Sequence, residues 1–205
     1  MREAPEASFW SVLSGRRSVR FYTPDRLPQG VVERLLLAAI LAPSAHNAQP
    51  WRFVVLQDLR TRRRLVEAMA RRWEREMRER GIDEKVIQVE VRFSLERFTA
   101  APLLVMPCLT MEGMDVYPRP HQRRAEHTMA VQSVAAAIQN LLLAAHALGL
   151  GACWCCAPLF CQGLVRRILR LPRTWEPQAL ITIGYPRHHP PLPPRKALEE
   201  VLWVI

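Results

Sequence analysis

The stretch LAPSAHNAQPWRFVVL, residues 41–56, decides how this chain is read. Residues 31–41 before it carry apolar side chains at Val32, Leu35, Leu36, Ala39 and Ile40, the spacing of an amphipathic helix that stops ahead of Pro43. Residues 53–56 form a continuous β-favouring apolar run, short enough for a buried strand. The loop between them holds Ser44, His46, Asn47 and Gln49, more polar groups than a turn needs. Ser44 and Asn47 can serve as capping and turn residues, but a turn has no use for Gln49. The amides of Asn47 and Gln49 offer donors and acceptors together, suited to reading a heterocycle edge or the hydroxyls of a polyol.

Upstream, residues 9–13 read as a short helix closed by Gly15 as its C-cap, which delivers RRSVRFY (16–22) into an extended segment. Alternation along an extended backbone predicts Arg16, Ser18 and Arg20 on one face, where two guanidiniums and a hydroxyl can surround a phosphate. The same pattern also fits an exposed basic edge strand. Downstream, residues 103–106 are a second buried strand, and between the two strands lie charged helical patterns at 61–80 and 84–97, parted by Gly81 and Asp83. A long loop is expected at 111–124, then a helix at 126–148 that is apolar on most sides and so central, at a subunit interface. Gly149 and Gly151 end it; ACWCC, residues 152–156, enters a strand, 160–169 a helix, 179–183 a strand, and 201–205 an apolar tail. This order reads as α+β or as three-layer α/β.

With 205 residues and 49% hydrophobic content, the chain is long enough for one full core, and residues 1–205 are expected to form a single domain. Net charge is +10, and of 29 basic residues only Lys85 and Lys196 are lysine. Such an arginine excess suits nucleic acid or small oxyanion ligands equally well. The arginines of 60–80 alternate with Glu67, Glu74, Glu76 and Glu79 at helical spacing, the pattern of a solvated, ion-paired helix, so nucleic acid is not expected. No membrane span is expected either, because 128–150 carries Gln132, Ser133, Gln139, Asn140 and His146. Residues 1–6 lack an apolar export segment, so a cytoplasmic protein with reduced thiols is expected. Cys153 and Cys156 have the C-x-x-C spacing of a redox dithiol or half a zinc site; Cys108 and Cys161 are available as a second pair, but the histidines lie in unrelated loops and the run follows a helix, so no metal is expected. Buried, apolar cysteines are the favoured reading. Walker, Rossmann, G-x-S-x-G and H-E-x-x-H patterns are absent from the sequence.

Taken together, RRSVRFY, LAPSAHNAQPWRFVVL, GLGACW, ITIGYP and PPRKALEEVL resemble, in order and spacing, the FMN-dependent nitroreductase family over nearly the whole chain. Within it, AEHTM, GLGACW and LPRTWEPQALITIGY are similar to the C-terminal reductase domain of the bifunctional coenzyme F-420:gamma-glutamyl ligase. The resemblance implies an α+β, three-layer fold with a central mixed sheet flanked by helices, built as an intertwined homodimer with the long helix at its interface and FMN bound between subunits. By motif, Arg16, Arg17, Ser18 and Arg20 would hold the FMN phosphate and ribityl chain, with Arg195 completing the clamp. Pro43, Ser44, Asn47 and Gln49 would line the flavin, and Trp154 and Cys155 would lie near its other face or edge. Hydride would come from the flavin, so no side chain need be a nucleophile. Tyr117, His121 and His127 are candidate proton donors beside solvent or substrate.

Typical nitroreductases carry a glycine–acid motif after the long helix, where this chain has WCCAP. That departure favours the deazaflavin branch, in which the small-molecule substrate is dehydro-coenzyme F-420 and carries phosphate and carboxylates. Arg71 or Arg72 with Trp73 are the residues expected to contact it. A general NAD(P)H-dependent nitroreductase or quinone reductase, and a non-catalytic flavin or deazaflavin binding partner of a separate ligase, are the alternatives.

Overall fold

The structure, a computed structural model, describes residues 9–205; residues 1–6, on which the expectation of a chain without an export segment rests, lie outside them. Its centre is β2 (Leu103–Thr110), buried at every position. β1 (Trp51–Val55) and β5 (Leu180–Gly184) flank it antiparallel, β3 (Gly151–Cys155) pairs antiparallel with β5, and the short β4 (Trp175–Pro177) pairs with the far end of β2. The expected mixed sheet is instead antiparallel at every strand pairing among the described residues; an isolated parallel bridge from Ser18 to Ala152, outside the strands, only lays the basic segment beside β3.

The two-residue period of β2 builds two cores. Leu103, Val105 and Leu109 face α2 (Val31–Ile40) and α5 (Pro120–Ala147), meeting Leu35, Ala39, Val134, Ile138 and Leu141. Leu104, Met106 and Cys108 face the opposite way, against Leu65 and Met69 of α3 (Leu59–Glu79), Phe98 of α4 (Glu84–Ala100) and Val165 of α6 (Gln162–Leu169). Helix, sheet and helix therefore form the three layers expected. α5 is long and apolar enough to cross a membrane by length and composition alone, but its apolar positions fill the first core.

Several local expectations change. The loop before α5 is shorter than read, because Pro120 occupies the first turn, where the missing N–H does no harm, and the helix begins there. Gly15 lies inside α1 (Phe9–Gly15) and is not a left-handed cap; a Cβ on it would meet His146 Nε2 at 2.7 Å, so close approach to α5 explains it. Gly149, at φ +74°, is the left-handed cap of α5. The charged α3 is not wholly solvated: Arg62 is buried and donates from Nε to the Phe98 carbonyl at 3.1 Å and from Nη2 to the Ala101 carbonyl. That guanidinium ties α3 to the end of α4, and burial lowers its pKa.

Candidate functional site

The basic segment is laid across one end of the sheet by backbone bonds. Val19 N–H donates to the Ala152 carbonyl at 3.0 Å and Thr23 N–H to the Tyr185 carbonyl at 2.9 Å. Buried Tyr22 anchors it, its hydroxyl 2.5 Å from the Val19 carbonyl and 2.7 Å from Thr182 Oγ1. The Arg16 N–H still bonds the Val12 carbonyl in helical fashion, so strand alternation starts only after it. As a result Arg16 and Arg17 gather with His146 and His189 around a small pocket at the end of α5, while Arg20 faces a different cavity. The expected single face for Arg16, Ser18 and Arg20 is not formed. Among the described residues, no carboxylate stands within 4.0 Å of Arg16, Arg17 or Arg20. Burial, then the charges of Arg17, His189 and Arg16, lower the His146 pKa.

The 43–49 loop is held against the other half of α5. Ala45 N–H donates to Ser133 Oγ at 3.2 Å, and Ser44 Oγ accepts from Gln49 N–H at 3.1 Å, so Ser44 braces the loop. His46, Asn47 and Gln49 all adopt left-handed backbone, near φ 54°, 52° and 49°. Such positions are strained by roughly 1–3 kcal/mol each and survive only where surroundings impose them. Here His46 Nε2 lies 3.3 Å from Glu126 Oε1, which also accepts the Asp115 N–H at 3.0 Å, and Glu126 is 1% exposed. Sequence reasoning passed over this pair; its signal was a histidine in a binding loop and an acid inside an apolar helix. The side chains of Asn47 and Gln49 stay at the surface, Gln49 Nε2 3.5 Å from Asn47 Oδ1, and Pro43 is exposed beside them.

The third group lines a cavity of about 730 Å³ between α3, α4 and the edge strand β3. It unites Arg20, Arg72, Trp73, Trp154 and Cys155 from the sequence analysis with Arg80 and Arg97, which that analysis did not single out. Arg72 is paired with Glu76 along its own helix, and Arg71 turns toward Glu67 and away from this cavity. Cys153 and Cys155, two apart on a strand, share a side, with their sulfurs 3.7 Å apart. The C-x-x-C pairing of Cys153 with Cys156 is not what the structure brings together; Cys156 is exposed. Cys155 Sγ accepts from Arg97 Nη1 at 3.6 Å. The Cys153 contact and then the Arg97 guanidinium hold the Cys155 pKa down to about 6 against the opposing pull of burial. Cys153 is pushed up by the same contact and by burial. The favoured reading of apolar cysteine therefore suits Cys108 but not Cys155.

Three expectations are not assembled within one chain. Arg195 lies on the exposed tail and donates only to the Pro193 and Pro194 carbonyls, away from Arg16 and Arg17. Tyr117, His121 and His127 do not line the cavity; His127 is paired with Glu176 at 2.9 Å and Tyr117 with Asp115 at 3.4 Å. The loop and the basic segment pack on opposite halves of α5, at Ser133 and His146, about 20 Å apart at 1.5 Å per residue.

Residues 13–185 match the Nitroreductase family model. The 5,6-dimethylbenzimidazole synthase of Rhodospirillum rubrum is 34% identical over 199 residues, covering 92% of this chain and 85% of that protein. A nitroreductase from Desulfovibrio desulfuricans crystallised with FMN superposes with TM-score 0.75 at 27% identity, covering 98% of each chain. A BluB-like flavoprotein from Clostridium difficile 630, TM-score 0.78 at 21% identity and covering 97% and 99% of the two chains, shares the fold. Fold, order of motifs and family match agree, and the chain belongs to the nitroreductase family.

Proposed function

We propose that the chain is an FMN-dependent oxidoreductase that reduces dehydro-coenzyme F-420 during maturation of the deazaflavin coenzyme. The observation that carries this reading is the cavity beside β3, where Arg20, Arg72, Arg80 and Arg97 surround aromatic walls that include Trp73 and Trp154. At about 730 Å³ it has the size of a small-molecule site, and its chemistry suits a flat, anionic substrate.

The donor set also suits FMN. Among the described residues Arg16, Arg17, His146 and His189 are a basic cluster without a carboxylate partner, and such a cluster suits a phosphate. Arg16, Arg17 and Ser18 would hold the phosphate and ribityl chain; Pro43, Asn47 and Gln49 would read the ring edge, with Ser44 holding the loop in shape. Reduced FMN, when bound, supplies hydride. Arg20, Arg72 and Arg97 orient the phosphate and carboxylates of the substrate, Trp73 stacks on its ring, and Met77 and Phe160 exclude water from the apolar wall. With Tyr117, His121 and His127 outside the cavity, the balancing proton is assigned to water.

A homodimer is part of this reading. Two α5 helices related by a two-fold axis run in opposite directions, which brings the loop of one chain to the basic segment of the other across the 20 Å that part them within one chain. The exposed apolar positions Phe9, Trp10, Leu37 and Leu41, and Leu198, Leu202 and Trp203 on the tail that carries Arg195, are the surface such an assembly covers.

The test is an absorbance spectrum of the purified protein before and after anaerobic reduction, and again after dehydro-coenzyme F-420 is added. Flavin bands that bleach and then return as the precursor is consumed are expected. Reduced flavin that ignores the precursor but reacts with nitro compounds or quinones would replace this reading with a general reductase, and flavin inert to all of them with a binding partner of a ligase. The Rhodospirillum rubrum relative favours a second reading, oxidative formation of 5,6-dimethylbenzimidazole, which chromatography of the reduced flavoprotein after admission of air would reveal.

A further inference from the structure

The resemblance places Cys155 near the flavin, but neither its thiol nor that of Cys153 has a part in the flavin and substrate binding proposed above. We propose that Cys155 is a nucleophilic site for small hydroperoxides entering the cavity, and that Cys153 resolves it by forming a reversible disulfide. The proposal stands apart from the deazaflavin reading, since it concerns two thiols and a guanidinium that are in place whatever the substrate.

Four observations converge on it. The strand period sets both sulfurs on one side, 3.7 Å apart. Both line the 730 Å³ cavity, so a small oxidant has a path to them. Arg97, from α4, donates to Cys155 Sγ at 3.6 Å, and Arg20 faces the same pocket, so negative charge on that sulfur is stabilised. The other thiols differ: Cys108 is sealed in the core, Cys156 lines the cavity but is exposed and is not the sulfur that Arg97 bonds, and Cys161 sits across the cavity near Glu76 and Arg72. The groups facing the pair are Arg97 from α4 and Arg20 and Tyr22 from the basic segment, with Arg72, Glu76, Glu79 and Arg80 of α3 around the same cavity. The lowered pKa of Cys155, about 6, agrees with that arrangement.

The chemistry balances with the hydroperoxide as oxidant. The Cys155 thiolate attacks the distal oxygen, the O–O bond breaks, and the leaving alkoxide takes a proton to become an alcohol, which leaves Cys155 as a sulfenic acid. Cys153 sulfur then attacks Cys155 sulfur; the S–O bond breaks, and the departing hydroxide leaves as water with the Cys153 proton. Two thiols have lost two electrons and the hydroperoxide has gained them. Two residues of strand span about 6.7 Å, near the upper end of the Cα separation a disulfide tolerates, so the strand must contract locally for the bond to close and the strained bond is easily reduced.

The test uses the full chain, first reduced and then treated with tert-butyl hydroperoxide at pH 7. The tryptic peptide spanning 125–166 contains Cys153, Cys155, Cys156 and Cys161. Mass spectrometry is expected to find it lighter by two hydrogens, with Cys153 linked to Cys155, the other two still alkylatable, and the link removed by dithiothreitol. On the untreated native protein at pH 6.5, iodoacetamide is expected to label Cys155 about tenfold faster than the more exposed Cys156, and Arg97→Gln to remove that lead. Cys153→Ala is expected to leave a sulfenic acid that dimedone traps. A link that includes Cys156, or faster labelling of Cys156 than of Cys155, overturns the proposal; both are read on the unmutated chain.

Discussion

Gly151→Ala probes the contact that holds the basic segment on the sheet. A Cβ at position 151 would lie 2.6 Å from Val19 Cβ and 2.7 Å from each of its γ carbons. Carbon atoms prefer separations of about 3.5–4.0 Å, so three pairs must open by roughly 1 Å. Val19 cannot rotate away, because both of its methyls are in the clash and its backbone N–H is bonded to the Ala152 carbonyl at 3.0 Å. The segment must therefore lift, at a cost of about 1–3 kcal/mol for an overpacked site. In a chain of this length each kcal/mol lowers Tm by about 2–4 °C, so thermal unfolding followed by circular dichroism is expected to fall by about 2–12 °C. Arg16 and Arg17 move with the segment, so the FMN Kd is expected to rise as well. Val19→Ala removes two of the three clashing atoms and leaves the Cβ contact, so the double variant is expected to be more stable than the sum of the single variants by about 1 kcal/mol. Strictly additive effects, or Gly151→Ala melting with the wild type, would refute this account of the glycine.

The division of the arginines predicts different phenotypes: Arg17→Ala is expected to weaken FMN binding by about 1.5–3 kcal/mol, the size of a lost charge-assisted bond, while Arg20→Ala raises the KM for an anionic acceptor and spares FMN affinity. Fluorescence titration of FMN and steady-state kinetics separate the two, and equal loss of FMN affinity in both variants would contradict the geometry. Arg62→Met leaves the Phe98 and Ala101 carbonyls without their donor and is expected to destabilise the fold by about 2–4 kcal/mol in urea, with little change in KM for a chain that stays folded. His146 has a lowered pKa in the fold, so the unfolded chain binds its proton first, at the ordinary value of 6.5. Stability of the flavin-free protein is therefore expected to fall as pH drops through and below 6.5, a dependence that His146→Gln should flatten in urea midpoints measured at pH 7.5 and 5.5.

Much of this was legible where one physical rule acts alone. Apolar spacing located α2, α3, α4 and α5, and the short apolar runs located β1, β2 and β5, because burial of one face leaves a period in the sequence. Elements whose stability comes from neighbours were harder to read. β4 is three residues ending in a proline and exists only because β2 has an open edge beside it, and Gly15 is explained by a histidine 131 positions away. For the cysteines the signal was present, since the strand expected at 152–156 already pairs Cys153 with Cys155, but the familiar C-x-x-C spacing drew attention to Cys156. Arg62 carries no mark that separates it from the solvated arginines around it; only the approach of α4 buries it. The candidate binding residues were recognisable by type, but their division into three groups depended on tertiary packing: α5 holds the loop and the basic cluster at its two halves, and α3, α4 and β3 enclose the third group.

That division along α5 makes genetic complementation possible. In the homodimer proposed above each site would draw its basic segment from one chain and its amide loop from the other, so Arg17→Ala and Asn47→Ala would weaken opposite halves. Mixed and reassembled, the two weakened proteins would yield heterodimers in which one site inherits both lesions and the other is intact. Random pairing would make half of the dimers mixed, so about a quarter of all sites would regain full FMN affinity.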